Sequence, residues 1–343
     1  MRALVKASPG PGCQIADVPV PEPRRDEVLV RVSATGICGT DLHIYRWDPW
    51  ARAHVHPPRV IGHEFTGTVV ALGEDVTEVT VGDRIAGECH VACGLCHNCR
   101  RGDPHICERL EIIGIDRDGA FAEYVRMPAR NAWRLHDDIP TDVAAVMDPL
   151  GNAVHTALAT ELTAQAVLIT GCGPIGLMAI AICKMAGAAV VVASDVNTAR
   201  LSLARTMGAD LVLDSRAENV AAGVHELTDG QGADVVLEMS GHPGGIADAL
   251  RAVRRGGWVS LLGLPGAPVE LDLANDVIFN AVRIQGIFGR RIWETWEQMS
   301  RLLRRGLDIT PVITHRLPLE RFGEAFSLLE SGNAGKVILT IER

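Results

Sequence analysis

With 343 residues, the chain has room for two domains of ordinary size, each with its own core. Apolar residues make up 47% and charged residues 22%, the balance of a water-soluble globular protein. A net charge of −9 argues against nucleic acid or an anionic membrane as partner.

The N-terminal stretch MRALVKASPGPGC has no apolar run of the kind a secretory signal needs, so a cytoplasmic protein is expected. In that compartment thiols stay reduced, and clustered cysteines point to metal binding or catalysis before disulfides. The first 150 residues read as short strands and loops. EVLVRVSATGI (27–37) and TGTVVALG (66–73) are β-branched runs bounded by glycine or charged turn residues.

Between and beside these runs lie two segments rich in metal-type donors. CGTDLHIYRWDPW places Cys38, Thr40, Asp41 and His43 together, and VIGHEF adds His63 and Glu64. A thiolate, an imidazole and a carboxylate are three ligands of the kind a catalytic zinc uses, with one position left for substrate. Their charges balance a dication. Taken singly, a cysteine such as Cys38 is more often a small packed residue and a histidine such as His63 a core histidine, and Glu64 could cap a backbone group.

Five of the nine cysteines then fall in GECHVACGLCHNCRRGDPHIC, residues 87–107. Cys93, Cys96, Cys99 and Cys107 follow C-x2-C-x2-C-x7-C, and the short gaps let successive thiolates converge on one ion. Four sulfurs fit a closed, structural zinc; an iron–sulfur cluster is the competing group. Cys89 lies outside this spacing and reads as a packed side chain.

From about residue 165 the pattern changes. AVLIT precedes a helical GPIGLMAIAICKMAG, and AVVVASD precedes NTARLSLARTMG. ADLVLD, ADVVLEMSG, a helical GIADALRAVRRGG and WVSLLG follow. Such alternation predicts a parallel sheet with helices on both faces. The charge-free stretch Leu162–Cys183 is long enough for a membrane span, but Gly171, Gly173, Pro174 and Gly176 interrupt it. Gly171-x-Gly173-x-x-Gly176 follows a strand and opens a helix, the context in which glycines let a dinucleotide pyrophosphate approach a helix N-terminus. The next strand ends at Asp195, a little past the usual interval of about 20 residues. A carboxylate there accepts from both ribose hydroxyls and repels a 2′-phosphate, which favours NAD over NADP; a helix cap is its other reading. The tail reads as a helix through WETWEQMSRLLRRG and a strand at KVILTIE.

Together GHEFTGTVVALGEDV, the four-cysteine loop and the mid-chain glycine loop resemble the zinc-containing medium-chain dehydrogenases over essentially the whole chain. The resemblance implies an α/β protein with a GroES-like β-rich catalytic domain (1–150 and 291–343, the zinc lobe at about 89–107). A Rossmann domain with a doubly wound parallel sheet (151–290) is inserted, and the active site lies in the cleft. CGTDLHIYRWDPW, GECH, MDPLGNAVHTAL and GIFGRRIWETW are similar to the branch that oxidises the secondary alcohol of L-threonine to 2-amino-3-oxobutanoate; the rival branch acts on polyols or butanediol.

By that resemblance Cys38, His63 and Glu64 hold a catalytic zinc, and Cys93, Cys96, Cys99 and Cys107 a structural one, two per chain. Thr40 and His43 relay the substrate proton, and Asp148 stands beside the metal in a supporting role. Gly171, Gly173, Ile175, Gly176, Asp195 and Arg200 run along NAD, while Leu262, Gly263, Leu264, Gly286 and Ile287 line loops near the nicotinamide. The family implies a homotetramer. His90, next to the lobe, is a candidate substrate contact, and Arg290 and Trp296 are further candidates to border the pocket. A zinc-free quinone reductase or a non-catalytic NAD-binding scaffold would leave Cys38, Thr40, His43, His63 and Glu64 without a joint purpose.

Overall fold

A computed structural model describes residues 1–341. The chain divides into two compact units, Met1–Pro149 with Ile313–Arg343, and Leu150–Val312.

The first unit is built on a seven-stranded sheet in the order Ala132–Arg134, Arg84–Gly87, Glu64–Leu72, Glu27–Gly36, Lys336–Thr340, Ile313–Pro318, with Tyr124–Pro128 also paired to Glu27–Gly36. Its centre is the ten-residue strand EVLVRVSATG, whose valines are buried with Phe65, Val69, Ile85 and Val125. The strand Lys336–Thr340, KVILT, is as apolar as a strand buried on both faces must be, and it lies between this central strand and Ile313–Pro318, paired to both. Register then fixes a consequence for function. Gly36 lies opposite Glu64 on one side and Ile338 on the other, so the ends of two strands remote in sequence meet beside it.

The second unit is a six-stranded, all-parallel sheet of Leu211–Asp214, Val190–Asp195, Ala166–Thr170, Ala233–Glu238, Val253–Leu261 and Arg283–Gly286, in that order. In chain order this is 3-2-1-4-5-6, the doubly wound arrangement, with its switch point between Ala166–Thr170 and Ala233–Glu238. Valine, isoleucine and leucine fill both faces of the central strands, as expected where helices cover them.

Two differences from the sequence reading stand out. The helix expected over GIADALRAVRRGG stops at Ala252, and VRRGG already belongs to the strand Val253–Leu261. The Asp234 carboxylate accepts from Arg254 Nε at 2.5 Å, and a register shift near Ala233 absorbs the left-handed Gly256. Residues 291–312, expected with the catalytic domain, cluster with the second unit. The helix Glu294–Arg304 buries Trp296 and Met299 there, and the turn Thr310–Val312 packs on the helices Pro174–Met185 and Thr198–Thr206. Among the described residues no helix is long and apolar enough to cross a membrane.

Candidate active site

In the first unit Cys38, His63 and Glu64 come together, with one donor atom from each lying within 4.8 Å of the others. Cys38 is the extended residue that precedes the helix Gly39–Arg46. Its N–H donates to Asp41 Oδ2 at 2.9 Å, so the helix start and the sulfur are fixed by the same carboxylate. Asp41 is fully buried, and its Oδ1 stands 3.6 Å from His63 Nδ1. Thr40 Oγ1 lies 3.8 Å from the Cys38 sulfur.

Glu64 opens its strand with no exposure to solvent. Its backbone carbonyl accepts from the Thr35 hydroxyl at 2.6 Å, and its Oε1 accepts from Lys336 Nζ at 2.6 Å. Lys336 also donates to the Ile37 carbonyl at 2.8 Å. A side chain at position 36 would overlap Glu64 Oε2, so only glycine lets the carboxylate lie across the central strand. Oε2 itself has no hydrogen-bond partner although it is buried. A buried carboxylate oxygen left without a donor is costly, and a cation would satisfy it.

The electrostatics agree. Burial drives the Glu64 pKa up, and the neighbouring Asp148 adds to it, while Lys336 and His63 offset only part. Burial would lower His63, yet Asp41 and Cys38 outweigh it and raise it well above its usual value. Lys336 behaves likewise: Glu64, Cys38 and Asp41 overcome its burial. The pocket thus carries a surplus of negative charge, and its thiolate, imidazole and carboxylate donors fit zinc. Asp148, in the first turn of the helix Met147–Ala157, is near enough to act on Glu64 by charge but stands outside the mutually close donor set.

The four cysteines at 93, 96, 99 and 107 also converge within 4.8 Å. Cys96 Sγ lies 3.5 Å from Cys99 Sγ and 3.8 Å from Cys107 Sγ. Backbone N–H groups of Leu95 and Cys96 donate to Cys93 and lower its pKa to about 6; burial and its sulfur neighbours push Cys99 up to about 12. The set fits a tetrahedral ion with no open position.

His90 is buried in a separate group with Glu88 and Cys89; its N–H donates to Glu88 Oε1 at 2.8 Å and its carbonyl accepts from Asn131. Arg290 and Trp296 are buried within the second unit, Arg290 lying over Gly151 and donating to Asn152 Oδ1 at 3.1 Å.

In the second unit Gly171 ends the strand Ala166–Thr170 at φ +91°, a left-handed conformation that favours glycine. Gly173 is the N-cap of Pro174–Met185, a helix that begins with proline at its first position and carries Ile175 and Gly176 in its first turn. Asp195 Oδ2 accepts from Cys172 N–H at 2.7 Å and Oδ1 from Asn197 N–H at 2.8 Å, which ties the acidic residue to the glycine loop. The cap of the following helix is Asn197, accepting from Ala199 and Arg200, so Asp195 is not used there. Arg200 Nε is buried without a hydrogen-bond partner. Leu262–Leu264 leave the C-terminal end of the Val253–Leu261 strand, and Gly286–Ile287 that of its neighbour, with Ile287 N–H donating to Leu261 O at 2.9 Å. These are the strand ends outside which such sheets take ligands. Leu264 is 87% exposed.

Sequence reasoning assigned no role to Asp41, Asp48 or Lys336. Asp41 and Asp48 lie inside the quoted CGTDLHIYRWDPW, whereas nothing near Lys336 hints at a partner 272 residues away.

Comparison with known proteins bears on both units. The family described as alcohol dehydrogenase GroES-like domain matches residues 24–137, and zinc-binding dehydrogenase matches 174–305. The chain is 51% identical over 341 residues to an L-threonine 3-dehydrogenase of Symbiobacterium thermophilum, covering 99% of this chain and 97% of that one. It is 47% identical over 340 residues to an L-threonine 3-dehydrogenase of Bacillus subtilis, covering 99% and 98%. Among solved structures, galactitol-1-phosphate dehydrogenase from Escherichia coli superposes with a TM-score of 0.92 at 28% identity, covering 99% and 100%. For 2R,3R-butanediol dehydrogenase from Bacillus subtilis the TM-score is 0.90 at 26% identity, covering 99% of each.

Proposed function

The chain belongs to the zinc-binding dehydrogenases with a GroES-like domain, and from that premise we infer that it oxidises the secondary alcohol of L-threonine to 2-amino-3-oxobutanoate with NAD+. The observation that carries the chemistry is the buried Cys38–His63–Glu64 set with its partnerless carboxylate oxygen. The choice of L-threonine rests on the full-length likeness to enzymes of that name.

Cys38, His63 and Glu64 would hold a catalytic zinc, and Cys93, Cys96, Cys99 and Cys107 a structural one. When bound, the catalytic ion supplies Lewis acidity that acidifies an alcohol, and the nicotinamide accepts a hydride. The chain's own groups do the rest. Thr40, next to the Cys38 sulfur, takes the hydroxyl proton, and His43, one helical turn on, passes it to water. Lys336 fixes one oxygen of Glu64 and leaves the other for the metal. Asp148 keeps the pocket negative and supports the proton's departure.

For the cofactor, Asp195 retains lone pairs beyond its two backbone bonds and can accept from ribose hydroxyls, while exposed, uncharged Val196 offers nothing to a 2′-phosphate; both support NAD over NADP. Gly171, Gly173, Ile175, Gly176 and Arg200 would run along the dinucleotide, with Leu262–Leu264 and Gly286–Ile287 near its nicotinamide. His90 is assigned to substrate contact.

The enzyme is proposed to be a cytoplasmic homotetramer. Cysteines gathered into metal-type donor sets suit a reducing compartment. The edge strand Arg283–Gly286 is exposed throughout and is preceded by Ile278 and Phe279 at 68% and 75% exposure, a surface that another copy would cover.

NADH formation by zinc-loaded protein, with L-threonine, 2,3-butanediol and sorbitol in parallel, tests the reading. Preference for L-threonine supports it; preference for a diol moves the assignment to the polyol branch.

A further inference from the structure

His43 and Asp48 sit on either side of a sharp turn that the sequence RWDPW builds. The helix Gly39–Arg46 ends at Trp47, a left-handed residue at φ 56° whose buried ring lies under Lys6. Asp48 is then extended, and Pro49 opens the next helix, Pro49–His54. This wedges the Asp48 carboxylate between the last turn of one helix and the first turn of the next. Its two oxygens have different tasks: Oδ1 accepts from Ala51 N–H at 3.0 Å and caps the second helix, and Oδ2 lies 2.5 Å from His43 Nδ1. The Trp50 ring flanks the imidazole at 5.9 Å and is itself stacked on His54 at 4.8 Å. His43 Nε2 makes no hydrogen bond among the described residues, and the side chain is 54% exposed.

Resting on the proton-relay reading above, we propose that Asp48 is the positioning residue of that relay: it holds the His43 proton on Nδ1, so that the Nε2 lone pair is the one that receives the proton leaving the substrate. A carboxylate is acceptor-only, so the neutral ring facing it must donate from Nδ1, and a neutral imidazole carries one N–H and one lone pair. Burial is the largest single influence and pushes the Asp48 pKa up, but the Ala51 and Trp50 N–H groups and His43 together outweigh it and hold it below the ordinary aspartate value. It is therefore ionised throughout the neutral range. The step balances: the alcohol loses a hydride to NAD+ and a proton to the Thr40 hydroxyl, which gives up its own proton toward Nε2. The imidazolium keeps its Nδ1–H bond to Asp48 and releases the new proton to water. Without Asp48 the ring is free to carry its single proton on Nε2, where it cannot accept another.

Asp48→Asn separates this role from the structural one. To keep the cap, the amide oxygen must face Ala51 N–H, which turns the NH2 toward Nδ1 and forces Nδ1 to accept. The tautomer is then inverted while shape and cap persist, the same logic by which an amide replacing a triad aspartate gives the wrong histidine tautomer. Asp48→Ser keeps a good cap but is too short to reach the ring.

The test is long-range 1H–15N correlation on 15N-histidine-labelled, zinc-loaded protein, recorded over a rising pH series to the limit where the ring signals stop changing. His43 is assigned by its loss in His43→Gln. In parallel, kcat and KM are measured with whichever alcohol the wild type prefers. The expected results are an Nδ1–H ring in wild type, an Nε2–H ring in Asp48→Asn, and a mixture in Asp48→Ser. For Asp48→Asn, kcat should fall roughly tenfold or more with KM unchanged. An unchanged tautomer in Asp48→Asn, or an inverted tautomer with unchanged kcat, overturns the proposal. A wild type that prefers a diol overturns the substrate reading alone, since tautomer and kcat still decide the role of Asp48. Should Asp48→Asn fail to fold, a wild-type ring and unchanged kcat in Asp48→Ser overturn it equally.

Discussion

The two cysteine-bearing clusters differ in what surrounds their donors, and that difference separates a staple from a reaction centre. The Cys93–Cys107 loop offers four like donors, partly exposed, with sulfurs already close and one thiolate already favoured by the loop's own N–H groups. Its four donors all belong to one short stretch of chain. The Cys38 cluster draws unlike donors from two segments and a buried lysine from the last strand, and it leaves a carboxylate oxygen without a partner. Four thiolates overcompensate a dication and close its coordination, whereas a thiolate, an imidazole and a carboxylate only balance it and leave a position open. On the proposed assignment the first site holds a loop and the second holds the chemistry.

Substitutions in the second cluster should have the largest effects. His63→Asn is expected to cut turnover by roughly a thousandfold, the several kcal/mol a metal contributes to charge stabilisation, while NAD+ binding measured by fluorescence titration is unchanged. Loss of both together would blur the distinction. Lys336→Met removes one partner of a buried ion pair and should cost about 3 kcal/mol of unfolding free energy without metal, with much of it recovered when zinc is added. Denaturant unfolding with and without zinc measures this, and no recovery would mean that Glu64 does not face the metal.

Smaller effects probe the other unit and the loop. Asp195→Ala is expected to raise KM for NAD+ about tenfold and narrow the preference over NADP+, the value of a lost hydrogen bond to a charged group. In the loop the sign of the pH effect follows from Cys93 and Cys99 together. The Cys93 pKa of about 6 lies below its ordinary 9.0, so protons compete with metal for that sulfur only as pH falls through about 6. Cys99, pushed up to about 12, still has a proton to release at neutral pH. Zinc affinity of the loop, measured by chelator competition, should therefore rise with pH across the neutral range and fall more steeply below about 6. After chelation, alkylation should reach Cys93 at neutral pH while Cys183, pushed up to about 12 by burial, stays unmodified. Peptide mapping of the alkylated protein checks both statements.

Much of this was legible in the sequence where the signal is local. The parallel strands announce themselves as runs of valine, isoleucine and leucine, and the glycine loop as a break between strand and helix. The residue types at Cys38, His63 and Glu64 stand in two short stretches. What could not be read depends on where remote pieces of chain meet. Trp296 and Met299 mark the apolar face of a helix but not which unit buries it, so the boundary falls after Val312 and not near residue 290. Lys336 becomes part of the pocket only because the last strand pairs with the central one opposite Glu64. Asp48 is plain in RWDPW, but its bond to His43 requires the left-handed turn at Trp47, which a tryptophan gives no reason to expect.

The most direct test of the division between the clusters is zinc analysis and L-threonine turnover measured together on Cys38→Ser. The expected result is two zinc ions per chain in wild type, one in the variant, an unchanged fold by circular dichroism and no turnover. Retained turnover, or loss of both ions at once, would contradict the account.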